Sequence, residues 1–463
     1  MTLAEILARE LGAEHVLGPE KLSLRHPGWC AQSLDAGLLV RPADAAELSA
    51  ILKATPGVPV VPQGGVTGLV EGTASSPGEI IVSFERMNRI EQIDPAQGVA
   101  LVGAGVTLAQ LDAALEPHGL MAGVDIGARD SCTIGGMVST NAGGIRVLRY
   151  GMMRASVLGL EVVRADGTVL DLTSPLMKNN AGYDLKQVFI GSEGTLGLVT
   201  KVALRLFPRP RAIATALVGI DARALSAFMP RLRLALGEGL AALEGMWPDC
   251  YRRCAEFQGV TPLPLQAGPD GPGLFLIAEA FGPDDTAAQT ALEQALVPML
   301  EDGTIRDAVL AQSGAERARI WRIREGAGVI GGDGAPGYHY DVSLKLADLD
   351  PYVQRLQAKV ADAFDGIAVL VFGHVGDGNL HLSLMPDGTL PPRDAVDAVV
   401  YGVLAGFESS AISAEHGVGL EKRAALQTYR PAGILAAMGT LKAAFDPEGR
   451  LNPGKVLPGN GPR

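Results

Sequence analysis

The stretch VLVFGHVGDGNLHLSL (369–384) carries His374 and His381 on either side of Asp377-Gly378. Two apolar runs around an Asp-Gly pair read as a β-hairpin with a two-residue turn. That turn pairs Gly376 with Asn379, Val375 with Leu380 and His374 with His381. Direct cross-strand neighbours on one face have Cβ atoms ~5 Å apart, the separation at which two imidazoles share one divalent ion. The chain has only seven histidines, so two on one strand face are seldom a coincidence, although two surface histidines on a hairpin stay open as the alternative. Glu415-His416-Gly417, in SAEHGVG, adds a carboxylate and a further imidazole. On an extended segment these neighbours point to opposite faces and take different duties.

A second chemistry lies in glycine. The 59 glycines cluster, which marks places where backbone turns tightly or approaches a ligand. Two loops stand out, VPQGGVTGLVEGT (61–73) and SCTIGGMVSTNAGG (131–144), both without Lys or Arg. Successive free N–H groups in such loops form concavities that bind a diphosphate without formal positive charge. No G-x-x-x-x-G-K-[ST] occurs, Gly103-Ala104-Gly105 lacks the third glycine of a dinucleotide fingerprint, and GSEGTLG (191–197) suits a packed turn.

The elements that must carry these groups alternate. Residues 37–54 read as strand, turn and helix, and VPVV as a short strand entering the first loop. The runs 80–90 and 98–106 read as strands. A helix opens at Thr107 with a Thr-to-Gln110 capping box, and Asp166-Gly167 turns a hairpin within 158–172. After LVTKVALRLFP (198–208) the prolines mark a boundary, so the expected division is 1–210, 211–410 and 411–463. The middle part reads as mostly helical, including ARALSAFMPRLRLALGEGLAALEG, TAAQTALEQALVPMLEDG and GAERARIWRIREGA. The fold class is α+β in at least two domains.

Composition narrows the partners. With 39 Lys+Arg against 51 Asp+Glu, the net charge of −12 speaks against binding nucleic acid by phosphate neutralisation. Four cysteines are too few for a disulfide framework; Cys250 and Cys254, four apart, share a helix face, commonly as small buried residues, with a metal pair as the alternative. The start, MTLAEILARELG, lacks the basic and apolar regions of a signal peptide, and no run reaches the ~20 apolar residues of a membrane span. A cytoplasmic protein is the expectation, with a homodimer as the default oligomer.

QGGVTGLVEGT, SCTIGGMVSTNAGG, LRYG, NNAGYDLKQVFIGSEGTLG and LNPGK, in that order, resemble the FAD-linked D-2-hydroxyacid dehydrogenases. These include the D-lactate and D-2-hydroxyglutarate dehydrogenases and the glycolate oxidase D subunit, with the vanillyl-alcohol-oxidase (PCMH-type) fold. The resemblance is dense over 55–210 and 370–460. It implies a two-subdomain FAD-binding domain, an α+β substrate domain and a C-terminal helical segment returning to the flavin. It also implies that Pro62, Gly64, Gly65, Thr67, Gly68 and Leu69 wrap the FAD diphosphate with Ser131, Gly135, Gly136, Thr140, Ala142 and Gly144. Glu193, Gly194, Gly197 and Val199 would hold the adenine-ribose end, and Asn452 would return near the flavin. Val66 stands where relatives commonly carry Asn, and Glu71 where Gly is usual. No His lies in either loop, so FAD is expected to be non-covalent.

The same resemblance makes His374, His381 and Glu415 the metal ligands, a set that suits Zn2+ and also Mn2+. His416 becomes the general base and Arg324 the grip on a substrate carboxylate. The implied reaction oxidises a D-2-hydroxy acid to the 2-keto acid by hydride transfer to flavin N5. Electrons would leave to an electron-transfer flavoprotein or a quinone. The chain departs from the D-2-hydroxyglutarate enzymes at Gly328 (their Thr), His339 (their substrate-binding Lys) and Ser383 (their Asn), so a second substrate carboxylate is less assured. Two alternatives stay open: a metal hydrolase built on His374, His381 and Glu415, and a non-redox synthase on the flavin fold.

Overall fold

A computed structural model describes residues 1–268, 270–329 and 337–458. The glycine run at 326–337 falls largely outside them. The chain packs as two units: Met1–Gly144, Tyr150–Arg209 and Glu415–Arg463 form one, and Ile145–Arg149 with Pro210–Ala414 form the other.

The first unit opens with the helix Leu3–Leu11, capped by Thr2 and Glu5. Its first sheet has the order β1 (Val16–Leu17), β2 (Leu39–Val40), β4 (Ile80–Ser83), β3 (Val60–Gln63), with β2 and β3 both parallel to β4. Leu48 and Ile51 of the helix Ala45–Ala54 pack on Val40, Val60 and Val82. The run 80–90 is not one strand: the chain turns after β4, with Met87 N–H donating to the Phe84 carbonyl at 2.9 Å. An added Cβ at Gly103 or Gly105 would stand 2.2 or 2.0 Å from the Met87 or Phe84 carbonyl oxygen, so those glycines serve that close backbone crossing.

The second sheet of this unit is antiparallel throughout. Its order is β5 (Ile90–Asp94), β6 (Val99–Gly103), β10 (Leu198–Arg205), β8 (Val157–Val163), β9 (Val169–Leu172). Asp166-Gly167 makes the β8–β9 turn as expected, with Gly167 at φ 78°. The capping box of Thr107 and Gln110 opens the helix Leu108–Leu115. Short strands β7 (Leu120–Met121) and β11 (Phe207–Pro208) pair beside it. The C-terminal segment closes the edge of the first sheet: Leu451 bridges Val60 in parallel, and the Arg450 guanidinium donates to the carbonyls of Leu52, Thr55, Val58 and Ala165.

The second unit is built on a seven-stranded antiparallel sheet. Its order is β15 (Ile305–Leu310), β12 (Ala212–Ile220), β14 (Leu274–Gly282), β13 (Leu240–Met246), β17 (Ile367–Gly373), β18 (Asn379–Pro386), β16 (Tyr338–Ser343). The helices Pro248–Phe257 and Gly314–Val329 bury Cys250, Cys254, Ile320 and Ile323 with Met246, Phe275, Ile277 and Phe372 of the sheet. The expected helix through GLAALEG is instead β13, an inner strand. Buried on both faces, such a strand reads as a continuous apolar run that periodicity cannot separate from a helix. Among the described residues no helix is long and apolar enough to cross a membrane.

Candidate functional site

The first loop of the first unit leaves β3 at Gln63, whose side-chain amide donates to the carbonyls of Ser33 and Thr73 and ties the loop ends together. Among the described residues, no N–H from Gly64 to Thr73 donates to a protein acceptor. This is the open row of donors that an anion requires. Gly64 and Gly65 lie against the second segment so closely that a Cβ would stand 2.2 Å from Thr133 Oγ1 or 1.7 Å from the Ser131 carbonyl oxygen. Gly68 faces open space, and Leu69 is exposed. Val66 at φ 49° and Glu71 at φ 56° occupy the left-handed region, which is strained for a β-branched residue and is tolerated by Asn.

The second segment is not the open loop expected. Ile134–Thr140 is a helix capped by Thr133, and its first N–H groups are already engaged. Ile134 donates to the Val106 carbonyl, Gly135 to that of Ala104 and Gly136 to Thr133 Oγ1. Gly135 is there for packing, since a Cβ would sit 2.5 Å from that of Ala104. Thr140 Oγ1 turns back to the Gly136 carbonyl, and Ala142 N–H closes the helix on that of Met137. Gly144, at φ 132°, passes the Asp125 carbonyl. Burial pushes the Cys132 thiol up to about 11, which leaves almost no thiolate for a covalent link.

Gly194 packs on the Pro62 ring, Gly197 on Val162 and Phe189, and Val199 lies in the core of β10. The Glu193 side chain accepts from the N–H groups of Val418 and Gly419 at 2.7 and 2.8 Å. It therefore fixes the turn that follows His416. Asn452, at φ 42°, donates to the carbonyls of Gly72 and Glu193, while its buried Oδ1 has no partner. An orphaned acceptor beside a loop of open donors fits a bound group with both phosphate oxygens and a polar hydrogen.

In the second unit the hairpin register differs from the expected one. Phe372, not His374, is the partner of His381. Asn379 N–H donates to the His374 carbonyl at 3.3 Å, which leaves a four-residue loop at Val375–Gly378. Close approach explains it: a Cβ on Gly373 would lie 2.3 Å from the Asn379 carbonyl oxygen. Because the shift preserves parity, both histidines stay on one face as diagonal neighbours. Their rings meet edge to face with centroids 5.2 Å apart, and both side chains are buried.

Each imidazole is backed by a buried carboxylate that sequence reading missed. Glu244, on β13, accepts from His374 Nδ1 at 2.7 Å and from Arg324 Nε at 2.9 Å. Asp341, the register partner of His381 on β16, lies 3.8 Å from its Nδ1. Burial alone would push the Glu244 carboxyl up, but His374 and Arg324 beside it outweigh burial and hold it below the ordinary glutamate range. Arg324 is itself buried and lies over the Phe372 ring at 4.7 Å, so it is no solvated helix arginine. His339 Nδ1 and Ser383 Oγ, cross-strand partners, are 3.0 Å apart. Asp341 also accepts from Ser413 Oγ and from Ala414 N–H at 2.9 Å; Glu415 and His416 are the next residues in the chain. A second buried carboxylate, Glu279 on β14, accepts from Arg146, Arg317, Trp321 Nε1 and Thr215 Oγ1. The available signal for Glu244 and Glu279 was one acid inside each apolar run, since a buried charge needs partners.

Residues 36–173 match the FAD binding domain family, and residues 209–456 match the C-terminal domain of FAD linked oxidases. The chain is 37% identical over 445 residues to a probable mitochondrial D-2-hydroxyglutarate dehydrogenase of Oryza sativa subsp. japonica, covering 95% of this chain and 78% of that protein. It is 37% identical over 459 residues to the mitochondrial D-2-hydroxyglutarate dehydrogenase of Bos taurus, covering 98% and 82%. Its fold is that of p-cresol methylhydroxylase, with a TM-score of 0.75 at 17% identity over 100% of this chain and 97% of that one. The fold is thus the PCMH-type FAD-binding fold. The mitochondrial relatives overturn the cytoplasmic expectation. That expectation rested on the cysteine count, on a start unlike a secretory signal and on the lack of a long apolar run, none of which tells one reducing compartment from another.

Proposed function

Because this chain belongs to the FAD-linked D-2-hydroxyacid dehydrogenases, we propose that it oxidises a D-2-hydroxy acid to the 2-keto acid with the help of a divalent cation. It is an FAD-dependent oxidoreductase, which displaces the hydrolase and synthase alternatives. The observation that carries the finer reading is the row Glu244, His374, His381 and Asp341 on one face of a buried sheet, with Arg324 above it.

When bound, FAD supplies a two-electron acceptor, and a divalent cation supplies a Lewis acid that lowers the pKa of the substrate hydroxyl. The protein's part is to hold and orient. The free N–H groups of Gly64, Gly65, Thr67 and Gly68 would receive the diphosphate, with Pro62 and Leu69 beside them. Ser131, Gly135, Gly136, Thr140, Ala142 and Gly144 shape the floor of that cradle. Glu193, Gly194, Gly197, Val199 and Asn452 complete the FAD site, and the buried, weakly acidic Cys132 thiol favours a dissociable cofactor. His374, His381 and Glu415 would hold the cation, Zn2+ or Mn2+, with Glu415 delivered by the tether of Ala414 on Asp341.

Arg324 would grip the substrate carboxylate through the guanidinium edge not used by Glu244, and His416 would take the hydroxyl proton. His339 and Ser383 would meet the far end of the substrate. Neither carries the permanent charge of a lysine, which favours a monocarboxylate or a bulkier hydroxy acid over 2-hydroxyglutarate. The electrons would pass on to an electron-transfer flavoprotein or a quinone.

Anaerobic titration of the purified flavoprotein with D- and L-2-hydroxy acids tests this. A D-acid should bleach the visible flavin band, and His374→Ala should slow that bleaching at least ~100-fold. Bleaching by no 2-hydroxy acid would sink the reaction, and an unchanged rate in the variant would sink the metal role.

A further inference from the structure

Glu244 stands on an inner strand, 1% exposed, with its two oxygens committed to different partners. Oε1 lies 2.7 Å from His374 Nδ1, and Oε2 lies 2.9 Å from Arg324 Nε and 2.8 Å from its Nη2. An ionised carboxylate only accepts, so Nδ1 must carry the hydrogen at this contact. Nε2 is then the nitrogen whose lone pair is available in the neutral ring. On its other side the same carboxylate fixes the guanidinium plane, which Phe372 supports from below at 4.7 Å. Asp341 stands differently toward His381: its Oδ1 lies 3.8 Å from Nδ1, and its carboxylate also accepts from Asn379, Ser413 and Ala414.

We propose that Glu244 is a positioning residue that sets two halves of the site at once, the tautomer of His374 and the plane of Arg324. Cation affinity and substrate affinity are thereby coupled through one buried side chain. This rests on reading His374 as a cation ligand and Arg324 as the carboxylate grip. Losing Arg324 should move KM and leave cation affinity alone. Losing Glu244 should move both. A residue that only packs would lower the melting temperature and move neither.

The test compares Glu244→Gln with the wild-type holoenzyme by equilibrium dialysis against Zn2+ and Mn2+, read by atomic emission, beside FAD absorbance and steady-state kinetics. The variant should keep its FAD, bind the cation 10–100-fold more weakly, in the range measured for residues that orient metal ligands, and show KM raised about tenfold. In wild-type protein labelled with 15N-histidine, His374 should show a protonated Nδ1. An unchanged cation affinity in the variant, or an unprotonated Nδ1 in the wild type, overturns the proposal. If Glu244→Gln does not fold, the nitrogen spectrum decides. Uptake of neither cation by the wild type would instead refute the metal reading beneath it.

Discussion

In the first unit, the candidate cradle is main chain: N–H groups from Gly64 to Thr73, in a stretch without Lys or Arg. In the second unit, the candidate ligands are side chains, and buried acids stand behind them. The two solutions have opposite sensitivities. A backbone site tolerates changes of charge and fails on added volume, because its donors reach a ligand only while neighbouring segments touch. A site of buried charges is hurt most by loss of one partner, because the other is left without compensation.

The largest expected effect lies in the second unit. Glu279→Gln leaves Arg146 and Arg317 facing a neutral amide, and unfolding at pH 7 should lose about 3 kcal/mol, at the low end for buried pairs because Arg317 is partly exposed. Burial would raise the Glu279 carboxyl, but the two arginines outweigh it and hold it below its ordinary 4.5. The native state is therefore favoured by the ionised form. Its contribution is complete above pH 4.5 and fades as pH falls through the lower native value. Denaturant unfolding across this acid range should show a flatter pH profile in the variant than in the wild type. An equal slope would mean that Glu279 is not the ionised partner described.

Next comes added volume in the first unit. Gly65→Ala forces a methyl into the Ser131 carbonyl and should cost about 1–3 kcal/mol together with FAD retention. Gly68→Ala, facing open space, should leave the melting temperature in place. FAD lost from Gly68→Ala without loss of stability would locate the cofactor against that residue. Equal behaviour of both variants would break the contrast between packed and open glycines. The smallest effect is a gain: Val66→Asn should relieve a left-handed backbone and add about 1 kcal/mol, read as a higher melting temperature.

What could be read from residues alone follows the same division. Local signals were legible: the capping box at Thr107 and the Asp166-Gly167 turn both depend on a few neighbours. The pairing of His374 with His381 was legible as a shared face and not as a register, because the Gly373 crossing that sets the register is a contact between backbones. SCTIGGMVSTNAGG read as a loop because two adjacent glycines hide a short helix whose first N–H groups are taken by Ala104 and Val106. Glu244 escaped because LAALEGM, apolar on both faces, looks helical, and its partners come from residues far along the chain.

The closure of the first sheet has a consequence for synthesis. Val60 receives its edge partner from Arg450, Leu451 and Asn452, and Arg450 reaches back across 392 positions to Val58. At ribosomal speeds those residues emerge roughly 20–80 s after the strand they cover. Throughout that interval the nascent chain carries an uncovered strand border, a template for pairing with another chain until the last turn docks.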